Sequence, residues 1–521
     1  MVATVARVIL DSLDLIPNQD GRTLVSFVTF DKSIHYYNFK DTDDHPQVII
    51  ASDVEDLFLP TPEDLLVPLV SFRPQIEKLL MKLPLMYSNT QVPLCGLGSA
   101  LKATRAIIGS HGGKIIVFQT TPTNIGPGMR SSGSGLLSPS SSFSDEPSST
   151  ANVISNIKGV LQLSTENKFF KEFAVECTRD QICVDLFLFP SQPIDLSSLS
   201  SMIKVTGGTL HYYPGFSGNS SEDVAKFSSD MSCFLSTSFC LEAVLRVRAS
   251  RGISISNYKG NFFTRQTDLL ALPNFNPKHS FSVEFSIEES LSSPVAFIQA
   301  ALLHTTSGGE RRIRVITMAL PISSNPSEIV SLADASVIAN VLAKNAIALA
   351  NRSDDDPRDY LFSKVVDILQ AVKNLERSTS SISLPRALKP IVFLIHGAIR
   401  SLFWSKQGTF FDTTQTPTLE GDIRASMFCM VETMSVMETT KLFSPRIYAL
   451  HYHDESHGGF WPVPLSGERF ERNGVYLLDD GTSILYLWVG DLVSNDLQQA
   501  LDGVGISMRS GKVGWLTLIT L

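Results

Sequence analysis

The stretch at 181–189, QICVDLFLF, is apolar at nearly every position. A strand with one wet face alternates apolar and polar residues, so a run without alternation has to be covered on both faces. KIIVFQT at 114–120 and TLVSFVTF at 23–30 have the same character, and SIHYYNF at 33–39 reads as an edge strand beside them. Between these runs apolar residues recur every three or four positions, which predicts helices over 96–109, about 165–178 and 221–235. Val5, Val8, Ile9 and Leu13 show the same spacing, so the chain is expected to begin inside an amphipathic helix and reads as a fragment. Strands buried on both faces and separated by helices specify a doubly wound α/β domain with a largely parallel sheet, here over residues 1–237. Its one interruption, 126–152, is rich in Ser, Gly and Pro and is expected to be a surface loop, since such residues cannot bury a core.

After about residue 238 the pattern changes three times. CLEAVLRVRAS, NYKGNFFTR, HSFSVEFSI, AFIQAALLHTT and RRIRVITMALPI are short strands separated by turns, which predicts an antiparallel β-sandwich over 238–324. SLADASVIANVLAKNAIALAN, DYLFSKVVDILQAVKNL and RASMFCMVETMSV carry helical spacing and predict a helical bundle over 325–444. Over 445–521, IYALHYH and VYLLDDGTSILYLWVG are strands, with Asp480-Gly481 at a hairpin tip. A helix is expected in SGERFERNG between them, with Ser466 as N-cap and Gly474 just past its end, and a short helix from Ser494. The last twenty residues show no assignable pattern. The fold class is thus multidomain: α/β, then all-β, then all-α, then a small α/β module. A chain of 521 residues has room for about three or four such domains.

Charge and cysteines narrow the function. A formal net charge of −9 argues against sequence-independent nucleic-acid binding, which needs a basic footprint. The six cysteines include no C-x-x-C pair, which argues against a zinc ribbon or a thioredoxin-like redox site and for reduced, mostly buried thiols. The longest apolar run, 391–399, is too short for a membrane span and contains His396.

Three stretches invite chemical readings. GSHGGK at 109–114 lacks the leading glycine of a phosphate loop (Ile108 stands there), lacks Ser or Thr after Lys114, and precedes a strand where a helix is required. It reads as a turn. GLGSAL at 96–101 reads as a plain entry into a helix, without the rest of a dinucleotide fingerprint. HYHDESHGG at 451–459 gathers three histidines and two carboxylates, but His451 and His453 would lie on a strand and His457 in a loop, so a polar loop is the preferred reading over a metal site. Without a G-x-S-x-G elbow or an H-E-x-x-H helix either, no enzyme is expected.

The basic stretch LRVRASRG at 245–252 is different. In a strand, Leu245 and Val247 point one way while Arg246 and Arg248 point the other, so two guanidinium forks share one face. That face is either a solvated surface or a dock for carboxylates. Arg251, Arg311, Arg312 and Arg314 read as solvated, with Ile313 and Val315 toward the core.

At this point the chain resembles a known family. LRVRASRGISISNYKGNFFTRQTDLLALPN (245–274) is similar to the cargo-binding, larger inner-coat subunits of the COPII vesicle coat, in an R-x-R-x-S-x-G strand followed by an aromatic G-x-F-F segment. DSLDLIPNQDGRTLVSFVTFDKSIHYYNF (11–39), FAVECTRDQICVDLFLFPSQPIDLSSLS (173–200), HYYPGFSG (211–218) and RRIRVITMALP (311–321) fit in the family's order, and 474–490 resembles its gelsolin-like module. The resemblance implies a partial von Willebrand A-like trunk, a β-sandwich, a helical domain and a partial gelsolin-like domain. It also implies that the family's zinc finger lies upstream of residue 1 and that both ends are truncated, so no cofactor is expected in this chain.

By the same resemblance Arg246 and Arg248 would bind acidic sorting signals. The implied partners are the smaller inner-coat subunit, the cytosolic tails of cargo and vesicle-fusion proteins and, indirectly, the coat GTPase. Peripheral contact with membrane is implied as well, and nucleic acid is not. The implied setting is the cytoplasmic face of the endoplasmic reticulum and COPII vesicles, with the Golgi membrane as a further site. Two rivals stand beside this reading. One is the smaller sister subunit, a GTPase activator; the other is a metal-dependent von Willebrand A ligand binder, whose D-x-S-x-S motif does not occur in the chain.

Overall fold

The computed structural model describes residues 1–129, 167–351, 356–376, 384–401, 420–499 and 514–519, apart from positions 19, 41–45, 91–92, 110, 267, 455–458, 483 and 497–498. The contacts divide the chain into two compact units. The described residues of Met1–Ser324, Lys344–Pro357 and Leu402–Thr433 form the first; those of Asn325–Ala343, Arg358–Ser401 and Met434–Leu521 form the second.

The first unit begins with helix Val2–Ser12 and strands β1 (Leu24–Val25), β2 (Val28–Phe30), β3 (Ile34–Asn38), β4 (Gln47–Ala51) and β5 (Val67–Pro68). β2, β3 and β4 pair antiparallel with β3 in the middle, and β1 pairs with β5. SIHYYNF is therefore a central strand, buried along its whole length. It resembled an edge because of its polar residues, of which His35, Tyr37 and Asn38 find internal partners while the buried Tyr36 hydroxyl has none among the described residues. Thr29 Oγ1 lies 3.2 Å from His35 Nδ1 and 2.9 Å from Tyr37 Oη, and the Tyr37 and Tyr87 hydroxyls are 2.8 Å apart.

Parallel pairing belongs to the next three strands, β6 (Gly113–Gln119), β7 (Ile182–Leu188) and β8 (Leu210–Tyr212), with β7 central. Alternate residues of β7 feed two cores. Ile182, Val184, Leu186 and Leu188 pack with residues of helices Leu97–Ile108, Lys168–Arg179 and Leu196–Thr206. Phe187, on the other face, packs with Val5, Val8, Phe227 and Phe234 of helices Val2–Ser12 and Ser221–Ser236. This is the doubly wound arrangement expected, with helices on both faces of a parallel sheet, but it is limited to these three strands: TLVSFVTF and SIHYYNF, expected in the same largely parallel sheet, lie in separate antiparallel sheets. The one charge in β7, Asp185, is wholly buried; it accepts hydrogen bonds from Thr209 N and Oγ1 (2.8 and 2.7 Å) and pairs with Lys114 at 3.0 Å.

The β-sandwich region follows: β9 (Cys240–Ala249), β10 (Ile253–Lys259), β11 (Phe263–Gln266), β12 (Leu269–Phe275), β13 (Ser282–Ile287), β14 (Val295–Thr305) and β15 (Arg311–Pro321). One sheet has the order β11-β12-β9-β14-β15 and the other holds β10 and β13, all antiparallel. β12 does not stand out in the sequence because Pro273 interrupts it. Pro273 falls where the β12–β9 ladder skips a pair opposite Glu242, whose φ of +48° breaks the strand locally, so the missing N–H of proline goes unneeded.

In the second unit the helices include Ile391–Arg400 and Val436–Phe443, the latter opened by a capping box between Ser435 and Glu438. The sheet that follows is wholly antiparallel, in the order β17 (Gly459–Val463), β16 (Arg446–Asp454), β18 (Val475–Asp479), β19 (Ile484–Val489), β20 (Gly514–Ile519). Gly481, at φ +80°, turns the β18–β19 hairpin at the expected place. The helix expected at 466–474 is only a 3-10 turn, Gly467–Arg469, and the Ser466 side chain caps nothing. Phe470 stacks on Trp488 at 5.1 Å and meets Tyr476 at 4.8 Å, contacts that draw the chain out of a helical path. β20 is a strand with no prior expectation. The loop expected at 126–152 is described only to Met129; the rest, like His457, lies outside the described residues.

Candidate functional site

β9 is the middle strand of the five-stranded sheet, held by β12 on one side and β14 on the other. Its alternation orients the basic pair. Ala243 and Val247 are buried, Leu245 is half-buried, and Arg246 and Arg248 emerge on the opposite face. Arg246 stands opposite Leu269 and Ala301, and Arg248 opposite Gln299. Gln299 Nε2 donates to Thr317 Oγ1 at 3.1 Å, and Phe297, at 52% exposure, completes an open shelf beside the two forks.

The two arginines are not equivalent. Arg246 Nε donates to Asp268 Oδ2 at 2.6 Å, with the two side chains 44% and 30% exposed. Such a pair contributes on the order of 0.2–1 kcal/mol, because water competes for both partners. Asp268 can therefore be exchanged for an incoming carboxylate. Arg248 has no ion-pair or hydrogen-bond partner among the described residues. One fork is open and its neighbour carries a replaceable internal acid, a detail that the R-x-R spacing alone does not reveal. The clue lay in QTDLL, whose Asp268 precedes β12 directly and so lands beside Arg246.

The remaining arginines fall away from this site. Arg251 is on a turn, 3.8 Å from Glu289 and 95% exposed. Arg311 Nη1 donates to Thr305 Oγ1 at 2.7 Å and to Glu242 O at 3.1 Å, and Arg312 pairs with Glu310. The sequence expectation that Ile313 and Val315 face the core is wrong: they are 68% and 52% exposed, because their partners on β14 set them on the outer face of the sheet, that of Arg246, away from the second layer.

The other candidate stretches behave as packing. Gly98 of GLGSAL lets the helix approach the chain ahead, since a Cβ there would stand 1.8 Å from Pro127 O. The GSHGGK turn leads into β6 with Gly112 at φ +68°. His451 Nδ1 accepts from Val475 N at 3.1 Å, and among the described residues no three His, Cys, Asp or Glu side chains gather as metal ligands. All six cysteines are free, with Cys95, Cys177, Cys183 and Cys429 buried. No helix among the described residues is long and apolar enough to cross a membrane.

Comparison with known proteins bears on the domains in which these residues lie. Residues 1–235 match the Sec23/Sec24 trunk domain, 240–323 the Sec23/Sec24 β-sandwich domain and 460–502 the gelsolin repeat. The protein transport protein SEC24 of Chaetomium globosum is 39% identical over 98% of this chain and 53% of its own length; its Aspergillus terreus counterpart is 37% identical over 98% and 55%. The chain thus spans about half the length of these relatives. The crystal structure of the human COPII-coat protein Sec24c superposes with a TM-score of 0.81 at 26% identity, covering 96% of this chain and 63% of that one. Trunk, sandwich and gelsolin repeat stand in the same order in sequence and structure, and the chain belongs to the Sec23/Sec24 family.

Proposed function

We propose that this chain is part of a COPII coat subunit that selects cargo for transport from the endoplasmic reticulum to the Golgi. It does so by binding acidic segments in the cytosolic tails of cargo and vesicle-fusion proteins. No catalysis is assigned to it. Its partner in the coat would be the smaller inner-coat subunit, with the coat GTPase engaged indirectly and the assembly lying peripherally on the membrane of the endoplasmic reticulum and of the vesicle, and on the Golgi membrane as a further site. Relatives named as transport proteins and a COPII-coat structure support the coat role.

The observation that carries the cargo role is the asymmetric pair on β9. A rigid central strand fixes two forks on one exposed face. Arg248 is open, and Arg246 exchanges a weak internal partner for a ligand carboxylate. Each charge-assisted bond contributes roughly 1.5–3 kcal/mol where partly desolvated and much less in full solvent. Modest single contacts suit a coat, since many sites on one lattice gain from effective concentration and can still release cargo.

A synthetic peptide with several Asp and Glu residues, titrated at low and high salt, tests this. Binding is expected to weaken with salt, and Arg246→Ala/Arg248→Ala to weaken it roughly tenfold or more. Arg248→Ala alone should cost more than Arg246→Ala, and Asp268→Asn should tighten binding by freeing Arg246. Equal affinity of the native chain and the double variant removes the role from this face.

A further inference from the structure

Of the six cysteines, four are buried, Cys240 is half-buried and Cys233 is exposed. Burial pushes the thiols of Cys95 and Cys429 up to about 11 and that of Cys177 up to about 12, which holds them in the unreactive protonated form. Cys233 differs from them in a second respect. Lys278 Nζ lies 2.8 Å from its Sγ, although the two residues are 45 positions apart in the chain. Anchored backbone presents each side chain. Cys233 stands on helix Ser221–Ser236 between Met231 and Phe234, which are buried in the core around Phe187, and its carbonyl accepts from Thr237 Oγ1 at 2.6 Å. Lys278 lies in a tight turn between β12 and β13. Its N–H donates to Asn276 Oδ1 at 2.9 Å, His279 N donates to Asn276 O at 3.0 Å, and Asn276 is itself buried. Ser280 N then donates to Thr433 O at 2.8 Å and fixes the far side of the turn. A trunk helix and a sandwich turn thus hold one sulfur and one nitrogen against each other.

We propose that Cys233 and Lys278 form an oxidation-dependent cross-link site, which hydrogen peroxide converts into a sulfenamide joining Cys233 Sγ to Lys278 Nζ. In the first step the sulfur attacks the peroxide and the O–O bond breaks, giving a sulfenic acid and one water; sulfur gives up two electrons and the peroxide takes them. Lys278 releases a proton to water and aims its nitrogen lone pair at the sulfur. The N–S bond forms as the S–O bond breaks, and the departing hydroxide takes a proton from nitrogen and leaves as a second water. One thiol, one amine and one peroxide thus give one sulfenamide and two waters. The 2.8 Å separation is already within reacting distance, so this second step is intramolecular and outruns further oxidation of the sulfur. The new bond ties helix Ser221–Ser236 to the turn ahead of β13 and closes a loop through residues 233–278. Such a loop restricts the unfolded chain, as a disulfide does. Excess thiol reverses the link by attacking the Cys233 sulfur and releasing the amine.

This proposal is independent of the arginine pair on β9. Peptide mapping by mass spectrometry tests it on the 521-residue chain after treatment with equimolar hydrogen peroxide. The expected product is a peptide containing Cys233 joined to one containing Lys278, lighter than their sum by two hydrogens and separated again by dithiothreitol. Cys240→Ser should retain the product, whereas Cys233→Ser and Lys278→Arg should lose it. Lys278→Arg keeps the positive charge but offers a guanidinium, which is not a nucleophile. In that variant the sulfenic acid has no amine to meet, so dimedone, which traps sulfenic acids, should label Cys233 several-fold more strongly than in the native chain. A disulfide between Cys233 and Cys240 in place of the joined peptides overturns the proposal. So does the absence of joined peptides together with equal dimedone labelling of the native chain and Lys278→Arg.

Discussion

β7 and β15 are both apolar strands, ICVDLFL and RRIRVITMALP, and they lie at opposite extremes of burial. Every residue of β7 is buried and every residue of β15 is exposed. Composition does not separate Ile182 and Val184 of the first from Ile313 and Val315 of the second. Position does. β7 is the middle of a parallel sheet with helices on both faces, while β15 is the last strand of a sheet whose second layer stops short. An apolar run records what a strand can bury; the neighbours decide what it does bury.

The strongest way to break this contrast is to truncate β7. Phe187 stacks on His211 at 4.3 Å and meets Phe118 and Phe234 at 5.3 Å each. Phe187→Ala leaves a cavity that helices packed from one side and a strand from the other cannot close. It is expected to destabilise the first unit by about 3–5 kcal/mol in urea unfolding. A loss below about 1 kcal/mol would mean that double cover confers no advantage.

The next effect sharpens the contrast where trunk and sandwich residues meet. His279, in the segment between β12 and β13, is pushed down to about 4, chiefly by burial; Lys114 adds to that, while Asp185 of β7 opposes it. The imidazolium is thus disfavoured in the folded chain. Between about pH 6.5 and about pH 4 the unfolded chain binds more protons, so stability is full above about 6.5 and falls as the pH drops toward 4, by at most about 3 kcal/mol. His279→Gln should flatten this part of the stability–pH curve. An unchanged slope would show that other groups produce it.

These strands also show why parts of the fold were legible in sequence and parts were not. Local spacing reports periodicity, so the helices at Leu97–Ile108, Lys168–Arg179 and Ser221–Ser236 and strands β6, β7, β9, β14 and β15 were all expected. It does not report partners. β3 looked like an edge because His35, Tyr37 and Asn38 are polar, yet in the interior His35 meets the Thr29 and Ser33 hydroxyls, Asn38 accepts from Lys40 N, and Tyr37 meets the distant Tyr87. β12 was hidden by Pro273, tolerated only because of the break at Glu242 on another strand. The candidate site divides in the same way. Alternation along β9 placed Arg246 and Arg248 on one outward face, whereas Asp268, which makes the two unequal, arrives from a turn and shows itself only once β12 is paired with β9.

The smallest expected effect is the most direct check on β15. Val315→Ser removes an aliphatic side chain of the kind whose loss is costly in a core, but at 52% exposure it gives up little burial, makes no cavity and leaves its hydroxyl in water. In the 521-residue chain the change should shift unfolding free energy by no more than about 0.5 kcal/mol. The same substitution at Val184, wholly buried on β7, removes packed methyl groups and places a hydroxyl where nothing apolar can receive it, so it should cost several times more. Because residue type is shared, the difference between the two measurements reports what surrounds each strand, paired neighbours and covering layers together. Equal costs would mean that the outer face of β15, which Val315 shares with Arg246, is already covered in the isolated chain.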